Sequence, residues 1–151
     1  MTGSGGEVMA GTAGAILIEG LDHVVLRVRN LERALHFYRE VLGCRPERRV
    51  AELGLTQLRA GNALIDLVEV DSPLGRARGS APKPGAPNMD HFALSLRHFD
   101  EEAIRAHLEA RGVAAGRSEL RYGAKGTGPS LYVEDPDGNV VELKGPPEAT
   151  A

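Results

Sequence analysis

Leu21-Asp22-His23-Val24-Val25-Leu26 and Met89-Asp90-His91-Phe92-Ala93-Leu94 are near-copies of one another, and their reading decides the fold. Each opens a run of strand-forming residues, and each is followed by a helical pattern that ends in glycine. In the first copy Asn30 is placed to cap a helix. Leu31, Ala34, Leu35, Tyr38, Val41 and Leu42 then form one apolar stripe up to Gly43. In the second copy Asp100 is the cap, Ala103, Ile104, His107 and Leu108 make the stripe, and Gly112 ends it. His23 to Gly43 is 20 residues and His91 to Gly112 is 21, so the copies run almost in step. A duplicated unit therefore carries one histidine per copy at the same point.

Strands are expected after the first helix near 48–51, 55–59 and 63–70, with a tight turn at Gly61-Asn62. After the second they are expected near 113–118, 130–134 and 139–144. Asp135-Pro136-Asp137-Gly138-Asn139 supplies the last hairpin turn, because proline fixes its first corner and Gly138 its positive φ. Each half reads β-α-β-β-β. The fold class is α+β: two such repeats forming a cupped, mostly antiparallel sheet with helices on the outer face. Repeat one spans 19–70 and repeat two 89–145, within a single domain of 19–145. Residues 71–88 hold Pro73, Pro82, Pro84 and Pro87 and read as a linker without helix or strand. Arg76, Arg78 and Lys83 there keep the linker solvated, or belong to a lid over a site.

The chain has 151 residues, 42% of them hydrophobic, which suffices for one core without disulfide staples. A net charge of −3, with no basic stripe, argues against nucleic acid as a partner. Residues 1–18 read as a flexible, glycine-rich arm and 146–151 as a tail. Ala15–Ile18 is too short to be a signal core or a membrane span, so no membrane association is expected. The single Cys44 fits a reducing cytoplasm and reads as a small, partly buried filler rather than a nucleophile.

The residues that carry chemistry are His23, His91, Asp66 and Glu142. Asp66 lies in Leu64-Ile65-Asp66-Leu67-Val68 and Glu142 in Val140-Val141-Glu142-Leu143, the last strands of the two repeats. A carboxylate framed by aliphatic residues is costly unless it is paired, hydrogen-bonded or metal-bound. Taken singly, each residue has a plain reading: a half-buried strand histidine or a solvent-facing acid. Taken as two matched pairs they form a donor set suited to Zn, Ni, Fe or Mn. Glu69, the nearest competitor of Asp66, falls on the opposite face by strand alternation. His36, His98 and His107 belong to helices or helix entrances and read as surface residues. The Arg121–Ser130 stretch is either a glycine-rich connector or a holder for an anionic substrate group through Arg121 and Lys125. Ser130 and Tyr132 line the cup or merely pack.

The repeated Asp-His start, the helix Ala34-Leu35-His36-Phe37-Tyr38-Arg39-Glu40-Val41-Leu42-Gly43 and the ending Tyr132–Leu143 resemble the vicinal oxygen chelate superfamily. That group includes glyoxalase I, fosfomycin-resistance thiol transferases, extradiol dioxygenases, methylmalonyl-CoA epimerase and metal-free bleomycin-binding proteins. The likeness covers about residues 19–145. It implies that His23, His91 and Glu142 take the three shared metal positions. Asp66 matches the fourth, where glyoxalase I and the epimerase carry Glu, and is one methylene shorter. The implied function is a divalent-metal-dependent, glyoxalase-like lyase or isomerase acting on a small vicinal-oxygen substrate. Glu142, then Asp66, is the candidate base. The alternatives are an Fe(II) dioxygenase or Mn(II) thiol transferase with a three-ligand open site, and a metal-free drug-binding protein. Because modules in this superfamily are often exchanged between subunits, the resemblance also implies a homodimer.

Overall fold

The computed structural model describes residues 19–81, 83 and 89–148, together with 5–7, 9 and 15. Most of the expected arm, part of the linker and the end of the tail thus lie outside the described residues.

The first half consists of β1 (His23–Val28), α1 (Leu31–Leu35), β2 (Arg45–Val50), β3 (Leu55–Ala60) and β4 (Ala63–Glu69). The second consists of β5 (Phe92–Ser95), α3 (Glu101–Ala110), β6 (Glu119–Gly123), β7 (Gly126–Glu134) and β8 (Val140–Lys144). The sheet orders are β1-β4-β3-β2 and β5-β8-β7-β6, the same topology twice. The outer pairs β1–β4 and β5–β8 are parallel, and the other pairings are antiparallel. The duplication seen in the two Asp-His phrases thus extends to the complete strand order. Among the described residues no helix is long and apolar enough to cross a membrane.

Both predicted helix caps are formed. Asn30 accepts from the Arg33 N–H and Asp100 from the Ala103 N–H, each satisfying a first-turn donor that the helix leaves free. Gly43 and Gly112 adopt φ of +81° and +71°, left-handed values that would strain a residue with a Cβ. The first helix does not stay α throughout. From His36 to Val41 it widens into a π-helical segment, with the Leu42 N–H bonding back to the Phe37 carbonyl at 3.0 Å. This winding buries Phe37, Tyr38 and Val41 together.

Strand alternation sends Leu26, Val28, Leu58, Ile65 and Leu67 to the helix side of the first sheet, and Leu131, Val133, Val141 and Leu143 to that of the second. All of them join one core with Ala34, Phe37, Tyr38 and Leu108. Several polar ties connect the halves, among them the Arg29 N–H, which donates to Asp137 Oδ1 at 3.0 Å. The buried Tyr38 hydroxyl donates to Asp135 Oδ2 at 2.6 Å. Burial and the neighbouring carboxylate push the Tyr38 phenol far above its ordinary pKa, so it stays a donor. Asp135 also accepts from the N–H groups of Asp137 and Asn139 and from the Asn139 amide, which shapes the predicted hairpin turn. A further tie is His107 Nε2, 2.7 Å from the Val41 carbonyl at the end of the π segment. His107 is therefore an inter-half contact rather than a surface residue only.

Three expectations are corrected. The linker does contain a helix, the short α2 (Pro73–Arg76), because Pro73 at its start gives up no needed N–H and Ser72 caps it. The strand expected at 113–118 lies at 119–123 instead. The Arg121–Ser130 stretch is not a loop: β6 and β7 pair through it, with Arg121 opposite Gly128. Its glycines fall in the hairpin, where they read as loop residues from composition alone. Cys44 is buried, and burial raises its thiol to about 11, so it is no nucleophile at neutral pH. The first part of the tail runs on along β7, with the Glu148 N–H bonded to the Thr127 carbonyl at 3.0 Å.

Candidate metal centre

The register places the four expected ligands symmetrically. In the first sheet Val25, Asp66 and Gln57 are direct cross-strand neighbours. In the second the matching trio is Ala93, Glu142 and Tyr132. His23 and His91 each stand two residues before the first member, on the same face. Asp66 and Glu142 are 4% and 6% exposed, so neither is the solvent-facing acid of the plain reading.

Each carboxylate is held from one side by its cross-strand neighbour. The Gln57 amide donates to Asp66 Oδ2 at 3.0 Å, and the Tyr132 hydroxyl donates to Glu142 Oε1 at 3.2 Å. Each is thereby left with a second oxygen to offer. Asp66 Oδ1 is buried and has no hydrogen-bond partner. Glu142 Oε2 lies 3.4 Å from His91 Nε2. The histidines are treated alike: Asp22 Oδ2 lies 2.6 Å from His23 Nδ1, and Asp90 Oδ2 lies 2.6 Å from His91 Nδ1. An acid on Nδ1 fixes the tautomer and turns the Nε2 lone pair outward, the arrangement usual for metal-binding imidazoles. The His23 pKa is raised by Asp22 first and then by the charge of Asp66. The His91 pKa is raised by Asp90 first, with Glu142 adding to it against the effect of burial.

This donor set fits a divalent metal. An orphaned buried carboxylate oxygen is costly without a partner, and two acid-oriented imidazoles beside two carboxylates are borderline ligands for Zn, Ni, Fe or Mn. The residues nevertheless stand as two pairs, His23 with Asp66 and His91 with Glu142. Among the described residues no three His, Cys, Asp or Glu side chains converge on one point.

The expected substrate contacts divide. Tyr132 is at the centre of the second pair: its ring packs edge-on against His91, with centroids 5.4 Å apart. Arg121 pairs with Glu119 and stands near enough to Tyr132 for their charges to interact, beside a polar chain that runs Tyr132–Glu142–His91. Burial, then the Glu142 charge, raises the Tyr132 pKa. Ser130 shares the Tyr132 face by alternation, but it is fully buried with an unpartnered hydroxyl. Lys125 is exposed on the β6–β7 turn, seven residues and about 23 Å of strand from Tyr132. It is not brought to the pair. The sequence reading missed Gln57. Its signal was positional, since it takes in repeat one the place of Tyr132 in repeat two.

With this geometry in view, the chain was compared with known proteins. The profile of the Glyoxalase/Bleomycin resistance protein/Dioxygenase superfamily matches residues 20–143. The chain belongs to that superfamily. Members are mostly metal-dependent enzymes with unlike reactions. Glutathione transferase FosA of Serratia marcescens is 28% identical over 127 residues, covering 84% of this chain and 81% of that protein. Catechol-2,3-dioxygenase of Bacillus subtilis is 28% identical over 124 residues, covering 82% of this chain but only 40% of the enzyme. Among solved structures, the integron cassette protein VCH_CASS1 of V. cholerae aligns with a TM-score of 0.66 at 28% identity, covering 87% of this chain and 98% of that one. This superfamily member thus has the expected double βαβββ fold, with the four candidate donors standing as two pairs.

Proposed function

We propose that the chain is a divalent-metal-dependent, glyoxalase-like enzyme, of lyase or isomerase type, acting on a small vicinal-oxygen substrate. The observation that carries this reading is the matched second support of each half-site: an Asp on each Nδ1 and a cross-strand donor on each carboxylate. Structural histidines and acids have no reason to repeat that pattern twice. Because the two pairs do not converge within one chain, a full site needs two copies. One copy contributes His23 and Asp66, and a second contributes His91 and Glu142. A homodimer then holds two equivalent sites.

A bound divalent ion supplies Lewis-acid polarisation of the substrate's oxygens. The protein's own groups do the rest. Glu142 has the longer arm, and its Oε2 takes the proton from the carbon beside a carbonyl, while the Tyr132 hydroxyl holds Oε1 in place. Asp66 is shorter and tied to Gln57, so it serves as a fixed ligand first and a base second. Arg121, beside Tyr132, is placed to attract an anionic substrate group, whereas Ser130 is fully buried behind that face. Lys125 would contribute only long-range charge.

The Gln57–Asp66 bond also supports a second reading. If Gln57 keeps Asp66 back, His23, His91 and Glu142 form a three-ligand site with open positions. Such a site suits Fe(II) oxygen chemistry or Mn(II) thiol transfer. Elemental analysis of the isolated protein beside a His23→Ala control tests both. One metal per chain, lost in the control, is expected; substoichiometric metal unchanged by the substitution would contradict the metalloenzyme reading. Turnover of a methylglyoxal–glutathione adduct, against oxygen uptake with catechols, then separates the two reactions.

A further inference from the structure

The face of the first sheet that carries Asp66 is walled on one side. A cavity of about 380 Å³ lies there, lined by Val25, Leu55, Val68 and Leu74, with Asp66 and Arg27 among its polar groups. The wall comes from the segment after β4, whose helix α2 has no counterpart after β8 among the described residues. Ser72 donates to the Glu69 carbonyl at 2.6 Å and accepts from the Gly75 N–H at 3.0 Å, turning the chain back over the sheet. Two glycines permit the approach. A Cβ on Gly75 would lie 2.1 Å from the Glu69 carbonyl oxygen, and one on Gly54 would lie 2.0 Å from Ser72 Cβ. At the far end Arg27 Nη1 donates to the carbonyls of Arg78 and Gly79, at 3.3 and 3.1 Å. The segment is pinned at both ends, and Leu74 is carried onto the cavity.

We propose that this cavity receives the apolar substituent of the substrate, a compact aliphatic or aryl group next to its paired oxygens. Leu74 sets the size it accepts, and Arg27 holds the wall in place. Four of its lining residues are aliphatic, and the charged ones, Asp66, Arg27 and Arg78, leave an apolar patch between them that suits an apolar group. The volume is near the lower end for small-molecule pockets, about 300 Å³, which suits one ring or a short chain. Since Asp66 is part of the lining, a group seated there has its neighbouring oxygens at the candidate ligand. The proposal rests on the metal-site reading for that orientation only.

The test uses full-length protein and a graded probe. Catechol, 4-methylcatechol, 4-ethylcatechol and 4-propylcatechol are titrated into the metal-loaded protein by calorimetry. Each added methylene is expected to tighten binding about fourfold. Leu74→Phe, which fills the cavity, should abolish the gain from catechol to 4-propylcatechol. Leu74→Ala should extend the gain to longer chains, and Arg27→Met should reduce it. Catechol binding without any gain from the substituents would overturn the proposal. In metal-free protein, propylbenzene should shift the methyl resonances of Leu55, Val68 and Leu74, and not those of the Leu74→Phe variant. If those shifts occur but catechols show no metal-dependent binding, the metal reading fails and the cavity assignment stands. If propylbenzene leaves the methyl resonances unmoved, the cavity assignment fails whatever the metal does.

Discussion

The two halves of this chain share a strand order and a ligand pattern, yet they differ in what surrounds the ligands. In the first, Asp66 is short, bonded by an amide, and faces a cavity walled by α2. In the second, Glu142 is longer, bonded by a phenol, and touches its histidine. In the proposed reading, the repeated elements place donors for an ion. The unrepeated ones shape what meets it. Both carboxylates keep a second oxygen outside these bonds, but only the longer glutamate arm carries it to its histidine.

The largest expected effect breaks that asymmetry directly. Glu142→Gln should lower kcat by about 10²–10⁴-fold, the usual contribution of a positioned base. Asp66→Asn should chiefly weaken metal binding, as read by competition with a chelator. Equal losses of kcat in both variants would erase the distinction between base and fixed ligand. The next effect concerns the joint between the halves. Asp135→Ala strips the partner from the buried Tyr38 hydroxyl and three donors from the hairpin turn, and should cost about 3 kcal/mol in denaturant unfolding. A loss below about 1 kcal/mol would mean that the halves do not depend on this contact. Gln57→Leu should then reduce metal affinity by about 10–100-fold, as expected for a residue that orients a ligand. Tyr132→Phe should affect kcat at saturating metal as well.

The smallest effect lies outside the site. Glu101 accepts from the Ser118 hydroxyl and N–H and from Arg105, and these bonds hold its carboxyl down at about 2 rather than 4.5. The folded state therefore binds this proton less readily than the unfolded one. The resulting stability is present above about pH 4.5 and is lost as pH falls toward 2. Glu101→Gln should flatten the stability–pH curve in that window and leave it unchanged near pH 7. An unaltered slope would show that Ser118 does not hold Glu101 in solution.

Much of this was legible in the residues. His23, His91, Asp66 and Glu142 could be picked out because a duplication converts four unremarkable residues into two matched pairs, and helix caps and glycine stops fixed its phase. Gln57 was not legible, since its role follows from a cross-strand register that only pairing defines. The Arg121–Ser130 hairpin was hidden by glycines that also suit a loop. The α2 wall was hidden in a proline-rich stretch, where Ser72 and two close glycine contacts decide the path. The π-helical turn had no signature in the apolar stripe, which left out Phe37, the residue that the widened turn buries beside Tyr38.

The central claim is that one site is built from the first half of one chain and the second half of another. Complementation tests it most directly. His23→Ala and His91→Ala proteins, each expected to lack bound metal, are unfolded together, refolded as a mixture and assayed for metal. If sites form across chains, each mixed dimer has one site with both defects and one with neither. Random pairing makes half the dimers mixed, so metal should return to about one quarter of the unsubstituted level. No return of metal, in a mixture shown to contain mixed dimers, would contradict a site shared between two chains.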